Sequence, residues 1–318
     1  MSQSYSSAYR MQYSALLSVM RVAVLLCGLL ACMVVQATPN FQATGTAVGG
    51  TGAVSPAWPA HVTDDVALLI VETTGGQPAS LSTAAGFTPV ANSPQATGLT
   101  TSGTQLTVFW ARATSSAMAA PTIADPGDHV YAQIITYRNV VRTGNPWDVT
   151  GGGIKILGST SLTVTGVTTT TADTLIVQAA ARDGDSTAAQ FSAQTNAGLI
   201  GIAERSDAGA TQGNGGGFAV WDGEKATAGA TGSTAASLAS SAVNAFLTIA
   251  LKPAPLVVTA VTLNGAASVT LLEGSSITAV VNASVATGSQ WRSTGWRIAG
   301  TAPGTLTCID HTNHDAAG

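Results

Sequence analysis

Hydrophobic and polar positions alternate along this chain with the period of two that an extended backbone imposes, because successive strand side chains point to opposite faces. The clearest run is Gln105 to Thr114, where Leu106, Val108 and Trp110 fall on one side and Thr107, Phe109 and Ala111 on the other. Both faces are largely apolar, so this strand is expected to be covered on both sides. Around it lie Asp64 to Val71, a strand preceded by turn-forming acids, Gly86 to Val90, which carries Phe87, and His129 to Val140. In the last of these Tyr131, Ile135 and Tyr137 alternate against Ala132, Ile134 and Thr136.

The order then returns. Ala172 to Val177 repeats the acid-then-apolar strand, Gly217 to Trp221 the Phe and Trp strand, and Val243 to Leu251 the closing strand. A true internal duplication and a chance likeness of alternating strands are both open. Either way one sandwich spanning 62–252 is expected, because each half has too few strands to bury both faces of its own sheet. The expected class is all-β: an antiparallel β-sandwich of jelly-roll type, with an internal pseudo-repeat under the first option.

Between the halves, Arg142 to Asp148 and then Gly151-Gly152-Gly153 read as a loop, since Pro146 and the glycines break a strand pattern. Trp147 carries two readings. The favoured one is a plug over an open end of the sandwich; the other is an exposed platform, with Asn145 and Asp148 beside it, that stacks on a sugar ring. Residues 38–61 show little periodicity and are expected to form an irregular lead-in. At the other end, Lys252-Pro253-Ala254-Pro255 reads as a linker, because two prolines forbid ladder hydrogen bonds and stiffen the backbone.

Beyond that linker the pattern is again Val and Thr rich: Val257 to Leu263, Ser268 to Leu271, Ser275 to Val285, Gln290 to Ala299 and Thr305 to Ile309. This is the cadence of an immunoglobulin-like sandwich, yet 256–318 is shorter than the roughly 100 residues such a sandwich takes. A partial module is expected, with Cys308 having lost a partner encoded further on.

Composition narrows the compartment. Charged residues make up 9% of the chain, 45% are hydrophobic, and the net charge is -4. That hydrophobic share argues against a disordered chain, and the absence of a basic footprint argues against nucleic acid. Arg10 and Arg21 precede an apolar run from Val22 to Val35, and Val35-Gln36-Ala37 supplies small residues for a signal peptidase. Export with cleavage after Ala37 is expected, to the cell surface or beyond it. An uncleaved anchor is the alternative, although the run is shorter than the roughly 20 residues that span a bilayer. Cys32 in Leu29-Leu30-Ala31-Cys32 loosely matches a lipoprotein box, but apolar residues continue past it and lipidation is disfavoured. Cys27 and Cys32 would leave with the signal, so Cys308 alone would remain.

Candidate chemistry is sparse. Asp125 to Asp128 and Asp183-Gly184-Asp185 are acidic turns of the kind that can hold calcium, although neither matches a full calcium loop, and ordinary turns are favoured. Asp310, His311, His314 and Asp315 resemble a zinc set in composition only, and a solvated loop is favoured. The nucleophile elbow, Walker loop and Cys-x-x-Cys pair are missing from the sequence. His61 and His129 are the histidines of the sandwich region, and Gly213 to Gly217 reads as a hairpin loop. No cofactor is expected.

The segment Val62 to Pro255 resembles a widespread group of bacterial secreted and phage-tail-like β-sandwich modules. The residues carrying the likeness are the Asp-then-aliphatic strand, the strand Leu106 to Ala113, Tyr137-Arg138-Asn139-Val140, Asn145-Pro146-Trp147 and Ala250-Leu251-Lys252-Pro253. The tail, with Trp291 to Ile298 and Cys308 to His314, resembles immunoglobulin-like repeats of large bacterial surface proteins, including relatives of MSHA-type pilus biogenesis and agglutinin proteins. Together they imply a secreted, non-enzymatic protein of adhesion, ligand binding or pilus-associated assembly, with glycans or other surface components as partners. A polysaccharide-directed hydrolase, needing two carboxylates across a cleft, and a ligand-free spacer or remnant are the alternatives.

Overall fold

The computed structural model describes the backbone of residues 36–255, side chains within that span, and separate strand segments between 257 and 315. The expected signal segment and Cys27, Cys32 and Cys308 lie outside the described residues or side chains. The described body is all-β and its sheets are antiparallel.

The first sheet is built from β1 (Asn40–Thr44), β2 (Val66–Thr74), β3 (Thr104–Arg112) and β4 (Val130–Arg138). Its order is β1-β4-β2-β3, followed by the short Thr88–Pro89 strand. The second sheet takes β5 (Trp147–Val164), β6 (Thr174–Asp183), β7 (Ile200–Ala210), β8 (Gly216–Lys225) and β9 (Thr234–Leu251) in the order β5-β9-β6-β8-β7.

Each sheet therefore comes from one continuous stretch of chain. A jelly roll exchanges strands between its sheets, so the jelly-roll connectivity read from the sequence is corrected: the long strands of each half pair only among themselves, and the two sheets then stack. At the centre of each the order is the same, closing strand beside opening strand beside aromatic strand: β4-β2-β3 in one and β9-β6-β8 in the other. Each opening strand also follows an aspartate with positive φ, Asp64 at 74° and Asp173 at 55°, a backbone region that Asp tolerates better than most residues.

The core between the sheets follows the alternation. Val66, Leu68, Ile70, Leu106, Val108, Ile135 and Tyr137 from the first sheet meet Leu175, Val177, Ala179, Phe218, Val220, Leu247 and Ile249 from the second. The opposite face of the first sheet is also covered: Leu69, Val71, Phe109, Ala111 and Ile134 pack with Phe87, Val54, Trp58 and Leu81. This is why both faces of the Gln105 to Thr114 run read as apolar. The lead-in 38–61 is thus part of the sandwich. Its Asn40–Thr44 and Val48–Gly50 segments pair with β4, and Thr44 and Gln133 bond across to Arg205 and Ser206 of β7.

The aromatic echo is inverted between the halves. Phe109 faces out and Trp110 in, whereas Phe218 faces in and Trp221 out. Trp221 is nonetheless fully buried, because the far ends of β5 and β9 bring Leu162, Val164 and Leu238 over it. Its Nε1 donates to Gln178 Oε1 at 2.8 Å, so the covered indole keeps a hydrogen-bond partner.

Two loop readings are corrected. Gly151 to Gly153 lie inside β5, where added Cβ atoms would come within 2.8 Å of Val167, 2.5 Å of Gln95 and 2.6 Å of Phe246. Glycine here makes room for neighbouring side chains. Nor is Lys252 to Pro255 a free linker: Pro253 bridges Val140, Ala254 N donates to Asn139 O at 2.7 Å, and Ala254–Pro255 pairs with Gln36–Ala37. The chain enters and leaves the sandwich side by side. Beyond it, Val257–Leu263 pairs with Ala279–Ser284, Trp296–Thr301 with Thr305–His311, and Arg292–Ser293 with His314–Asp315. The expected strand Ser268 to Leu271, and any closure of these hairpins into an immunoglobulin-like sandwich, lie outside the described residues.

Candidate functional site

Two places hold chemistry worth building up: a sealed cluster of charge and an open aromatic cleft. The cluster forms at the end of the first sheet. Glu72 and Thr74 of β2, Thr104 of β3 and His129 just before β4 share the inward parity of Leu68, Leu106 and Tyr131, so alternation puts them on one face and the strand register brings them together. His129 Nε2 lies 2.9 Å from Glu72 Oε2 and its Nδ1 lies 2.8 Å from Asp128 Oδ2. Thr104 Oγ1 donates to Glu72 Oε1 at 2.8 Å, and Thr74 Oγ1 lies 3.0 Å from Asp128 Oδ2 and 2.9 Å from His129 Nδ1.

Both ring nitrogens face carboxyl oxygens, an arrangement that favours the imidazolium, while burial raises the Glu72 pKa against its bonds to His129 and Thr104. Burial pushes the His129 pKa down, but the bonds and charges of Glu72 and then Asp128 outweigh it and raise the value to about 9. His129 and Glu72 are 1% and 0% exposed. A Thr-His-Glu line of this kind has the order of a nucleophile, base and acid. All three side chains are buried, and the imidazole pairs a buried carboxylate.

Above the cluster sits the glycine-rich hairpin predicted at Gly213 to Gly217. Asn214 donates from its backbone N and from Nδ2 to Asp128 at 2.8 and 3.1 Å. A Cβ on Gly213, Gly215 or Gly216 would come within 2.5, 2.0 or 2.2 Å of Asp128, Asp185 or Glu72. Of the calcium candidates, the hairpin therefore meets Asp128 and Asp185. Asp128 is already committed to His129, Thr74 and Asn214, Asp125 Oδ1 accepts from Gly127 N at 2.8 Å, and Asp183 Oδ1 accepts from Val243 N at 3.1 Å. Among the described residues no group of three or more His, Cys, Asp or Glu side chains is arranged to hold a metal ion. Asp310, His311, His314 and Asp315 lie outside the described side chains.

The platform reading of Trp147 is corrected in the same way. Its ring is 8% exposed and lies in the core between the sheets, edge-on to Trp110. Asp148 beside it accepts from Thr170 and Thr171, two bonds from each, which together outweigh burial and hold its pKa below the usual carboxylate range. Asn145 beside it is exposed.

The open site is elsewhere, where 57–61 approaches the loop that follows β3. There a cavity of about 510 Å³ is lined by residues including Trp58, Pro59, His61, Ser116, Ala117 and Met118. Trp58 is half-buried, packed on Phe87 at 5.3 Å and His61 at 4.8 Å, with its Nε1 donating to Ala119 O at 3.1 Å. His61 Nδ1 lies 2.6 Å from Pro59 O, and Met118 N donates to His61 Nε2 at 3.3 Å. The opposite loop closes on itself, since Thr114 N and Oγ1 both approach the Met118 sulfur, at 3.3 and 3.4 Å. The small side chains of Ser116, Ala117 and Ala120 leave the cavity open where larger ones would fill it.

Reading by sequence missed this cleft. The available signal was Trp58-Pro59-Ala60-His61 standing in a stretch of otherwise small residues. No family model, curated protein or solved structure matches the chain.

Proposed function

We propose that this chain is an exported, surface-exposed, non-enzymatic β-sandwich protein that binds a ligand or surface component through the cleft at Trp58. The observation carrying this reading is the cleft itself: a half-buried indole on the wall of an open cleft of about 510 Å³, within the volume range usual for ligand sites. The positive charge of Arg10 and Arg21 ahead of the apolar 22–35 run supports export. The burial of Glu72 and His129 supports a non-enzymatic role, since neither of these two side chains reaches an open surface. The likeness of 256–318 to repeats of bacterial surface proteins supports a place in an adhesive or pilus-associated assembly, with an immunoglobulin-like module following the sandwich.

The test is a binding array of glycans, host-matrix proteins, bacterial surface components and uncharged aromatic compounds, probed with the full mature chain and with Ala117→Trp, which fills the cleft. Binding to some component that Ala117→Trp abolishes is the expected result. Silence across the array, or binding indifferent to the filled cleft, would remove the reading.

A further inference from the structure

Resting on the reading of the Trp58 cleft as a binding site, we infer that its ligand is an uncharged, predominantly apolar ring compound and neither a saccharide nor an ion. The polar groups lining the cleft are mostly spent within the protein. Trp58 Nε1 is held by Ala119 O, His61 by Pro59 O and Met118 N, and the Met118 sulfur by Thr114. Ser116 contributes the remaining side-chain hydroxyl, and none of the lining residues is Asp, Glu, Lys or Arg.

This distribution selects against two ligand classes. A charged group entering the cleft would give up water without meeting a counter-charge, and that loss is among the largest penalties in recognition. A sugar would bring several hydroxyls to walls that offer few free partners, and each hydroxyl desolvated without a bond weakens binding. A flat apolar ring loses little. It meets the Trp58 indole, the Pro59 ring, the Ala117 methyl and the Met118 thioether, all of which gain from excluding water. His61 acts as a positioning residue. By joining Pro59 O to Met118 N it holds the two sides of the cleft at a fixed spacing, and its own polar atoms are turned away from the ligand.

A matched pair of probes tests the inference: N-phenyl-1-naphthylamine, which is uncharged, and 8-anilinonaphthalene-1-sulfonate, its sulfonated counterpart. With the full mature chain, the uncharged probe is expected to bind saturably and at least about tenfold more tightly than the sulfonate, with cellobiose unable to displace it. Ala117→Trp should weaken it at least tenfold at an unchanged unfolding midpoint. Ser116→Lys, at an exposed position that the fold tolerates, should reverse the preference towards the sulfonate. Equal affinity for the two probes, displacement by cellobiose, or indifference to both substitutions would overturn the inference. If the array yields a glycan ligand lost in Ala117→Trp while the naphthylamine does not bind, the ligand class is wrong and the binding reading stands. If neither binds, both fall.

Discussion

Trp147 stands edge-on to Trp110, their ring centroids 5.6 Å apart and their planes at 83°. The two indoles come from different sheets, Trp110 from the aromatic strand of the first and Trp147 from the first residue of the second. The contact therefore ties the halves of the sandwich together at one end. Trp147→Ala is expected to destabilise the protein by about 3 to 5 kcal/mol, the range for emptying an aromatic site in a packed core. Urea unfolding measures the loss, and array binding should be unchanged under conditions where the variant is folded. A variant of normal stability that lost binding would return Trp147 to the ligand site.

His129 makes stability depend on alkaline pH. Its folded pKa of about 9 lies above the ordinary histidine value near 6.5, so the folded chain keeps a proton that the unfolded chain releases. This contribution is fully present below about pH 6.5 and is lost as pH rises through about 9. The unfolding midpoint should fall over that window, and His129→Gln should flatten the fall. Removing the ring altogether leaves Glu72 buried without its partner, and His129→Ala is expected to cost about 3 to 5 kcal/mol. A flat profile for the unsubstituted protein between pH 6.5 and 9 would show that His129 is not held as an imidazolium.

The parts of the fold legible in the sequence were those where alternation and burial agree. Leu106, Val108 and Trp110 against Phe109 and Ala111, and Tyr131, Ile135 and Tyr137 against Ala132 and Ile134, lie on the faces their spacing predicts. β7 and the first half of β9 were invisible because Ala, Ser, Thr and Gly carry little hydrophobic contrast, and their pairing is set by neighbouring strands. The charge cluster could not be read because Glu72, Thr104 and His129 are far apart in sequence and meet only once β2, β3 and β4 are in register. The cleft was hidden for a related reason: its walls join two irregular loops, and irregular backbone has no periodicity from which to infer a meeting.

Gly152 and Gly153 of β5 differ in what surrounds them, which separates packing from turn chemistry as the reason for glycine. A Cβ at Gly153 would lie 2.6 Å from the Phe246 ring, a buried group with no room to move, whereas at Gly152 it would meet the side chain of Gln95. Gly153→Ala is expected to cost roughly 1 to 3 kcal/mol. Gly152→Ala should cost less than about 1 kcal/mol, since a flexible side chain can swing aside. Chemical denaturation of the two variants side by side decides it, and equal costs would show that the backbone, not Phe246, demands glycine.

Asp207 gives the opposite pH response from a paired carboxylate. Its Oδ2 accepts from Gln190 N at 2.8 Å and Phe191 N at 2.6 Å, while Oδ1 is buried without a hydrogen-bond partner. Burial, with the nearby charge of Glu204, raises its pKa to about 6 against those bonds and the charge of Arg182. Because the folded value lies above the ordinary one, near 3.9, its contribution is present below about pH 3.9 and lost as pH rises through about 6. At neutral pH the ionised carboxylate thus holds stability down. Asp207→Asn keeps an acceptor for the two backbone donors and removes the charge. It should stabilise the protein by on the order of 1 kcal/mol above pH 7, with the difference vanishing near pH 4. Thermal unfolding at the two pH values is the measurement. Destabilisation larger above pH 7 than near pH 4 would mean that the carboxylate is needed in its ionised form.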